Sequence, residues 1–310
     1  MALEFVRVTE AAAIASARWI GKGDKHRADG AAVKEMRARF NQMDFKGQVV
    51  IGEGAKDEAP ELYVGERVGK GKGPVLDLAV DPLECTDSVA YGRYNAMSVI
   101  VAGAKNSLLS APDVYMEKLA AGPKAAKSIR FGAPVKLNLQ KAARALGKKV
   151  GEMTVVILDR ERHRDLIRQV RRAGARVRLI TDGDVAGAIA PCLPESGIDL
   201  LMGIGASAEA VLAAAAVKTL GGQVFCRFSP HKEKHVKLIK QAGLNLSKVY
   251  SAADLAKGKI LTFTATGVID GPLLAGVRFS DHTILTHSVV IRGQSGTVRY
   301  ISTQHHLKYK

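Results

Sequence analysis

Thr154-Val155-Val156-Ile157-Leu158, then Arg164 to Ala173, then Arg176-Val177-Arg178-Leu179-Ile180-Thr181, is the stretch that sets the fold class. Two short β-branched apolar runs enclose a segment of helical spacing, so the passage reads strand, helix, strand. The rhythm continues. Asp182-Gly183-Asp184 ends the second strand and a helical segment follows. Ile198 to Met202 reads as a strand, about Ala208 to Leu220 as an Ala-rich helix, and Gln223 to Phe228 as a further strand. Alternation with connections this short predicts an α/β half with parallel strands. After Lys259 the chain turns β-rich, with strands expected at Ile260 to Thr266, Thr283 to Arg292 and Thr297 to Ser302.

The first half mixes the two kinds of element. The first 22 residues have an amphipathic helical pattern, which Gly21-Lys22-Gly23-Asp24-Lys25 breaks. Asp29-Gly30 leads into a helical segment from Ala31 to Phe40, with Val33, Met36 and Phe40 at helical spacing. Gln48 to Ile51 is a strand closed by Gly52-Glu53-Gly54, and Ala96 to Ala102 is another. Between them Val75 to Val80 is an apolar run that Asp81-Pro82 is expected to stop, because proline lacks the N–H that a ladder needs. The fold class is therefore α/β, mixed α+β first and α/β second. The halves divide softly near 1–140 and 141–310.

Composition narrows the functional classes. The chain has 310 residues, 47% hydrophobic and 25% charged, which excludes wholesale disorder. It has no long charge-free apolar stretch and no basic-then-apolar leader, so no membrane association and a cytoplasmic location are expected. The net charge of +16 raises the question of nucleic acid. Its densest cluster, Arg160 to Arg178, carries no aromatic residue for base stacking, and no nucleic-acid partner is expected. A basic funnel for a phosphorylated metabolite fits the charge equally well. Cys85, Cys192 and Cys226 are too dispersed for a zinc site or a disulfide framework.

Acids punctuate the ends of elements in the first half: Asp29, Glu53, and the pair Asp81 and Glu84. Asp81-Pro82-Leu83-Glu84-Cys85-Thr86 crowds two carboxylates and a hydroxyl onto one turn. Such a turn suits a hard divalent cation, the alternative being a solvated Asp-Pro turn. Gly52 and Gly54 flank Glu53 and allow close backbone approach, with Asp57 and Glu58 in the same loop. Carboxylates at successive strand ends can converge on one sheet edge and clamp two cations.

In the second half, Gly203-Ile204-Gly205-Ala206-Ser207-Ala208-Glu209 has the glycine spacing of a dinucleotide fingerprint. The strand after it carries no acid, which argues against NAD. A helix start there suits a phosphate, and Glu209 suits a helix dipole or a ligand. Asp182 and Asp184 are placed to bind sugar hydroxyls or to cap a helix. Arg160, Arg162 and His163 are placed to grip a phosphate or to open a solvated helix.

Together these motifs resemble the class II fructose-1,6-bisphosphatases, the GlpX type, over nearly the whole chain. The match includes Gly21 to Lys25, Ala28 to Ala32, Val50 to Gly54, Asp57 to Pro60, Asp81 to Glu84, Tyr115 to Lys118, Asp182 to Val185 and Ala265 to Gly267. The resemblance implies a layered sugar-phosphatase fold shared with lithium-sensitive inositol monophosphatases. It implies hydrolysis of the 1-phosphate of fructose 1,6-bisphosphate, a gluconeogenic step. Another sugar phosphate such as sedoheptulose 1,7-bisphosphate, or a weakened sugar-phosphate sensor, is the alternative.

By the same resemblance, Asp29, Glu53, Asp81, Glu84 and Glu209 are metal ligands, for Mn²⁺ or Mg²⁺ and two or more ions per site. Thr86 is the catalytic hydroxyl, acting with Asp81 and Glu84. Substrate contacts fall on Glu84, Cys85, Thr86, Tyr115, Arg160, Glu161, Arg162, Asp182, Gly183, Asp184, Ala206 and Glu209. A homo-oligomer, dimer or tetramer, is expected. Two positions depart from the family pattern. Cys85 stands where glycine is usual. Gly205-Ala206-Ser207-Ala208-Glu209-Ala210 replaces Gly-Gly-x-Pro-Glu-Gly.

Overall fold

A computed structural model gives the structure of the protein and describes residues 1–54 and 61–306, so the expected Asp57 to Pro60 motif lies outside the described residues. The chain opens with α1 (Ala2–Ala17), α2 (Lys25–Phe40), β1 (Lys46–Ile51), β2 (Arg67–Val68), β3 (Val75–Glu84), α3 (Thr86–Tyr91) and β4 (Ala96–Ala104). It continues with β5 (Tyr115–Ala121), α4 (Val135–Leu146), β6 (Thr154–Leu158), α5 (Arg164–Arg172), β7 (Arg176–Ile180), α6 (Asp184–Ile189) and β8 (Leu200–Ala206). Then come α7 (Ser207–Thr219), β9 (Gln223–Phe228), α8 (Glu233–Gln241), β10 (Tyr250–Ser251) and α9 (Ala252–Leu255). Four strands finish the chain: β11 (Leu261–Ile269), β12 (Arg278–Phe279), β13 (Thr283–Arg292) and β14 (Thr297–His306).

Two compact units result, Met1–Leu108 with Gly258–Lys310, and Leu109–Lys257. This division differs from the expected 1–140 and 141–310, because the C-terminal strands return to the first sheet. β11 pairs antiparallel with β4, and β13 with β11. A chain of buried hydroxyls fixes that return. Thr9 of α1 lies 2.7 Å from Thr266 of β11, which lies 2.8 Å from Ser288 of β13.

The first unit holds a sheet of order β12-β13-β11-β4-β3-β1-β2, with β14 on β13. Its core is aromatic where α1 and α2 meet β1. Phe5, Phe40 and Phe45 are buried with ring centroids 5.9–6.3 Å apart, each burial favouring folding by roughly 1.5–3 kcal/mol. The strand β3 does not stop at Asp81-Pro82 but continues to Glu84. Pairing with β1 ends at Ala79, and the β4 register shifts between Asp81 and Glu84. Pro82 thus falls in an irregular stretch where its missing N–H breaks no ladder bond. Asp29 and Gly30 lie inside α2 rather than before it. Asp24 is the N-cap, its side chain accepting from the Arg27 N–H at 3.0 Å.

The second unit holds a sheet of order β10-β9-β5-β8-β6-β7. Only β7, β6 and β8 are parallel neighbours; β5 runs antiparallel to both β8 and β9, and β10 antiparallel to β9. The parallel half expected from the strand–helix rhythm is therefore a mixed sheet. Its central strand is Tyr115–Ala121, whose apolar pattern Glu117 and Lys118 interrupt. The strand β8 also extends through Gly203 to Ala206, beyond the expected end at Met202. The helices α4 and α5 bury Leu139, Ala142, Ile167 and Val170 against Val155, Ile157, Leu200 and Met202.

Candidate active site

In the first unit, the turn that leads into α2 is tied to α3. The amides of Gly21 and Gly23 donate to the carbonyls of Val89 and Ala90 at 2.9 and 2.8 Å, and Lys25 stands 3.5 Å from Asp87. Asp29, one turn into α2, is half-buried, as is Glu53 just beyond β1. The Glu53 backbone is held by its N–H to the Leu62 carbonyl at 3.1 Å. Gly52 permits this approach, since a Cβ there would meet the Leu62 oxygen at 2.0 Å. Burial, and then the charge of Asp29, push the Glu53 carboxyl up to about 8. Burial raises Asp29 as well, against the pull of His26.

Among the described residues, no three His, Cys, Asp or Glu side chains gather closely enough to hold an ion. The structure brings Asp29 and Glu53 into each other's field. Asp81 is half-buried in β3, and its Oδ1 accepts from the Leu83 N–H at 3.2 Å; Glu84, the last residue of β3, is buried. Cys85 follows in the left-handed region (φ 72°) as the N-cap of α3, and Thr86 opens that helix. A buried carboxylate whose pKa a neighbouring acid raises, as Asp29 raises Glu53, is a donor suited to a hard divalent cation.

In the second unit a cavity of about 490 Å³ gathers most of the expected substrate residues: Tyr115, Arg160, Arg162, Asp182, Asp184, Ala206 and Glu209. Gly183, in the left-handed region (φ 86°), turns the chain so that the acids on either side of it both reach the wall. Glu161 lies apart, pairing with Arg164 at 2.6 Å on the surface. Arg162 is strongly placed. Its guanidinium lies 4.6 Å from the Tyr115 ring centroid, and its Nη2 and Nε donate to the Ile204 carbonyl at 2.8 and 3.3 Å.

Beneath this wall lies a buried charge cluster. Lys118 Nζ stands 2.6 Å from Asp184 Oδ2, with both side chains nearly sealed. Burial alone would lower the Lys118 pKa, but Asp184, Glu209 and Cys226 around it raise it. Glu209 is pushed up to about 7 by burial, which the Lys118 charge opposes and Asp184 reinforces. Glu209 Oε2 and Asp184 Oδ1 are buried without a hydrogen bond among the described residues. Each is an acceptor for which a ligand hydroxyl or cation is the natural complement.

The glycine spacing at 203 and 205 serves this packing. A Cβ on Gly205 would lie 1.8 Å from Asp184 Oδ2 and 2.9 Å from Lys118 Nζ. One on Gly203 (φ 147°) would meet His163 Nε2 at 3.1 Å. The buried His163 joins the ends of β6 and β8. Its Nε2 accepts from the Ile204 N–H at 2.8 Å, so the Nδ1–H donates to the Leu158 carbonyl at 2.7 Å. The motifs gave no site role to Lys118, which ends the Tyr115 to Lys118 match, nor to Asp113, His231, Lys232 or His235, of which the last four line the cavity. The available signal for the last three is a basic run directly after a strand that Pro230 ends.

The model of the family "Bacterial fructose-1,6-bisphosphatase, glpX-encoded" matches residues 1–305. The chain belongs to this family. Among curated relatives, the "Fructose-1,6-bisphosphatase class 2" of Haemophilus influenzae is 43% identical, over 99% of this chain and 96% of that protein. The "Fructose-1,6-bisphosphatase 1 class 2" of Escherichia coli is 42% identical, over 100% and 96%. A Synechococcus relative named "D-fructose 1,6-bisphosphatase class 2/sedoheptulose 1,7-bisphosphatase" is 44% identical, over 98% and 95%. The glpX-encoded bisphosphatases are metal-dependent phosphatases. In this member, no helix among the described residues is long and apolar enough to cross a membrane.

Proposed function

We propose that the protein hydrolyses the 1-phosphate of fructose 1,6-bisphosphate to fructose 6-phosphate and inorganic phosphate, with Mn²⁺ or Mg²⁺. The observation that carries this reading is the pairing of Asp29 and Glu53, two acids kept in each other's field in a full-length member of the family. Asp29, Glu53, Asp81 and Glu84 are the oxygen donors of the first unit; Glu209 is a further donor, in the second. A bound divalent cation would supply neutralisation of the phosphoryl oxygens and acidification of water.

The chain's own groups do the rest. Thr86, at the start of α3, orients the attacking water and passes its proton to a neighbouring carboxylate. Water oxygen bonds to phosphorus, the bond from phosphorus to the C1 oxygen breaks, and a proton reaches that oxygen as it leaves. In the second unit, Asp182 and Asp184 accept sugar hydroxyls, while Arg160, Arg162 and Tyr115 orient the retained phosphate end. The Synechococcus relative's name favours sedoheptulose 1,7-bisphosphate as a second substrate. A homo-oligomer is the accompanying expectation, read by light scattering.

Phosphate release from each bisphosphate, with Mn²⁺ and with Mg²⁺, tests the reading. Activity on fructose 1,6-bisphosphate that Asp81→Asn abolishes in a folded protein supports it. Tight binding without turnover in the parent protein would overturn it in favour of a sensor.

A further inference from the structure

Three basic side chains of the cavity wall come from one short segment to which no motif assigned a role: His231, Lys232 and His235. Their placement follows from the sheet. The Ser229 N–H donates to the Tyr115 carbonyl at 2.8 Å, which holds the end of β9 beside the first residue of β5. Pro230 then ends the strand, His231 and Lys232 form the turn, and α8 begins at Glu233. Lys232 and His235 are three residues apart at the head of that helix, which puts them on one face. The His231 ring lies 5.1 Å from the ring of Tyr115, the same ring that carries Arg162.

The charges divide in a way that points to an anion. The wall also carries Asp113, Asp182, Asp184 and Glu209; Lys118 pairs with Asp184 from beneath and pulls against the burial of Glu209, so part of that negative charge is offset below the wall. Arg160, Arg162 and Lys232 make no ion pair with a carboxylate among the described residues. Arg162 already gives Nε and Nη2 to the Ile204 carbonyl, so only its other edge remains for a ligand. One half-occupied fork is a weak hold on a dianion, and a second cation is needed to complete it.

We propose that His231 and Lys232, with His235 behind them, complete with Arg162 the grip on the phosphate that is not hydrolysed. The segment between β9 and α8 thereby sets the preference for sugars carrying a second phosphate. The inference rests on the proposed phosphatase reading but concerns a different segment of the chain.

Titration with fructose 6-phosphate, which keeps the second phosphate and lacks the first, tests it directly. Lys232→Met and His231→Ala are exposed changes in a turn. Loss of a charge-assisted contact predicts dissociation constants raised about tenfold for each, and the same rise in KM for fructose 1,6-bisphosphate. The exposed Lys234→Met, on α8 but outside the cavity wall, is the control and keeps parental affinity. Fructose 6-phosphate affinity within twofold of the parent in the double variant would overturn the grip. So would a parent protein that does not bind fructose 6-phosphate. Turnover by the parent separately decides the phosphatase reading.

Discussion

The Lys118 ammonium lies 2.6 Å from Asp184 Oδ2 inside the second unit, sealed from solvent beneath a cavity of sugar-phosphate size. A lysine in mid-strand is tolerable there because its charge is enclosed by Asp184 and Glu209. Removing it leaves two carboxylates buried without a cation. Lys118→Met should lower stability by about 3–5 kcal/mol, read by denaturant unfolding. Adding Asp184→Asn should recover part of the loss. Additive losses in the double variant would contradict the pairing.

Gly205 is the second element of that arrangement. The space its Cβ would need is filled by Asp184 Oδ2. Gly205→Ala should therefore cost about 1–3 kcal/mol through overpacking. It should also raise KM for the bisphosphate, because Asp184 is displaced from the wall. Parental KM and stability would show that the wall yields freely.

How much of this was legible in the sequence depends on whether neighbours along the chain or across the fold decide. The strands β6 and β9 and the helix α7 were readable within a residue or so, because local apolar spacing specifies them. The strand β5 was not, since Glu117 and Lys118 look like loop residues until Asp184, distant in sequence, neutralises the lysine. The glycines at 203 and 205 carried a dinucleotide-like spacing. Their cause is the bulk of His163 and of the Lys118–Asp184 pair, which no local pattern reveals. Likewise Asp81 and Glu84 were legible as an acidic turn. The continuation of β3 through Pro82 depends on where its partner β1 ends.

His163 makes stability pH-dependent. Burial first, and then the charges of Arg162 and Arg160, hold its pKa below the ordinary value, against the hydrogen bond to Leu158. The folded state therefore keeps a neutral ring that the unfolded chain protonates below about pH 6.5. This contribution is complete above that pH and lost as the pH falls toward the depressed folded value. Melting temperatures from pH 8 to pH 5 should fall more steeply for the parent than for His163→Gln. Parallel curves would remove the imidazole from the account.

Glu53 has the opposite sign. A carboxyl pushed up to about 8 by burial and by Asp29 opposes folding once the pH passes the unfolded value, near 4.3. Without divalent cation, Glu53→Gln should raise stability at pH 8, on the order of 2 kcal/mol. It should abolish phosphate release and remove the thermal shift produced by Mn²⁺. A variant that loses activity but keeps the full shift would place the cation elsewhere.

Cys85 is the residue where backbone and side chain disagree. Its φ of 72° is a left-handed conformation that costs a non-glycine residue roughly 1–2 kcal/mol, yet its thiol is buried beside Asn95, whose Nδ2 lies 3.9 Å from Sγ. Cys85→Ala loses the thiol's packing and keeps the strained backbone. Cys85→Gly loses the same packing and releases the strain. Glycine should therefore be the more stable replacement by about 1 kcal/mol, the reverse of the usual order of these residues within a helix or strand. Paired urea denaturation curves read the difference. An alanine variant as stable as the glycine variant would mean that the turn relaxes out of the left-handed region once the thiol is gone.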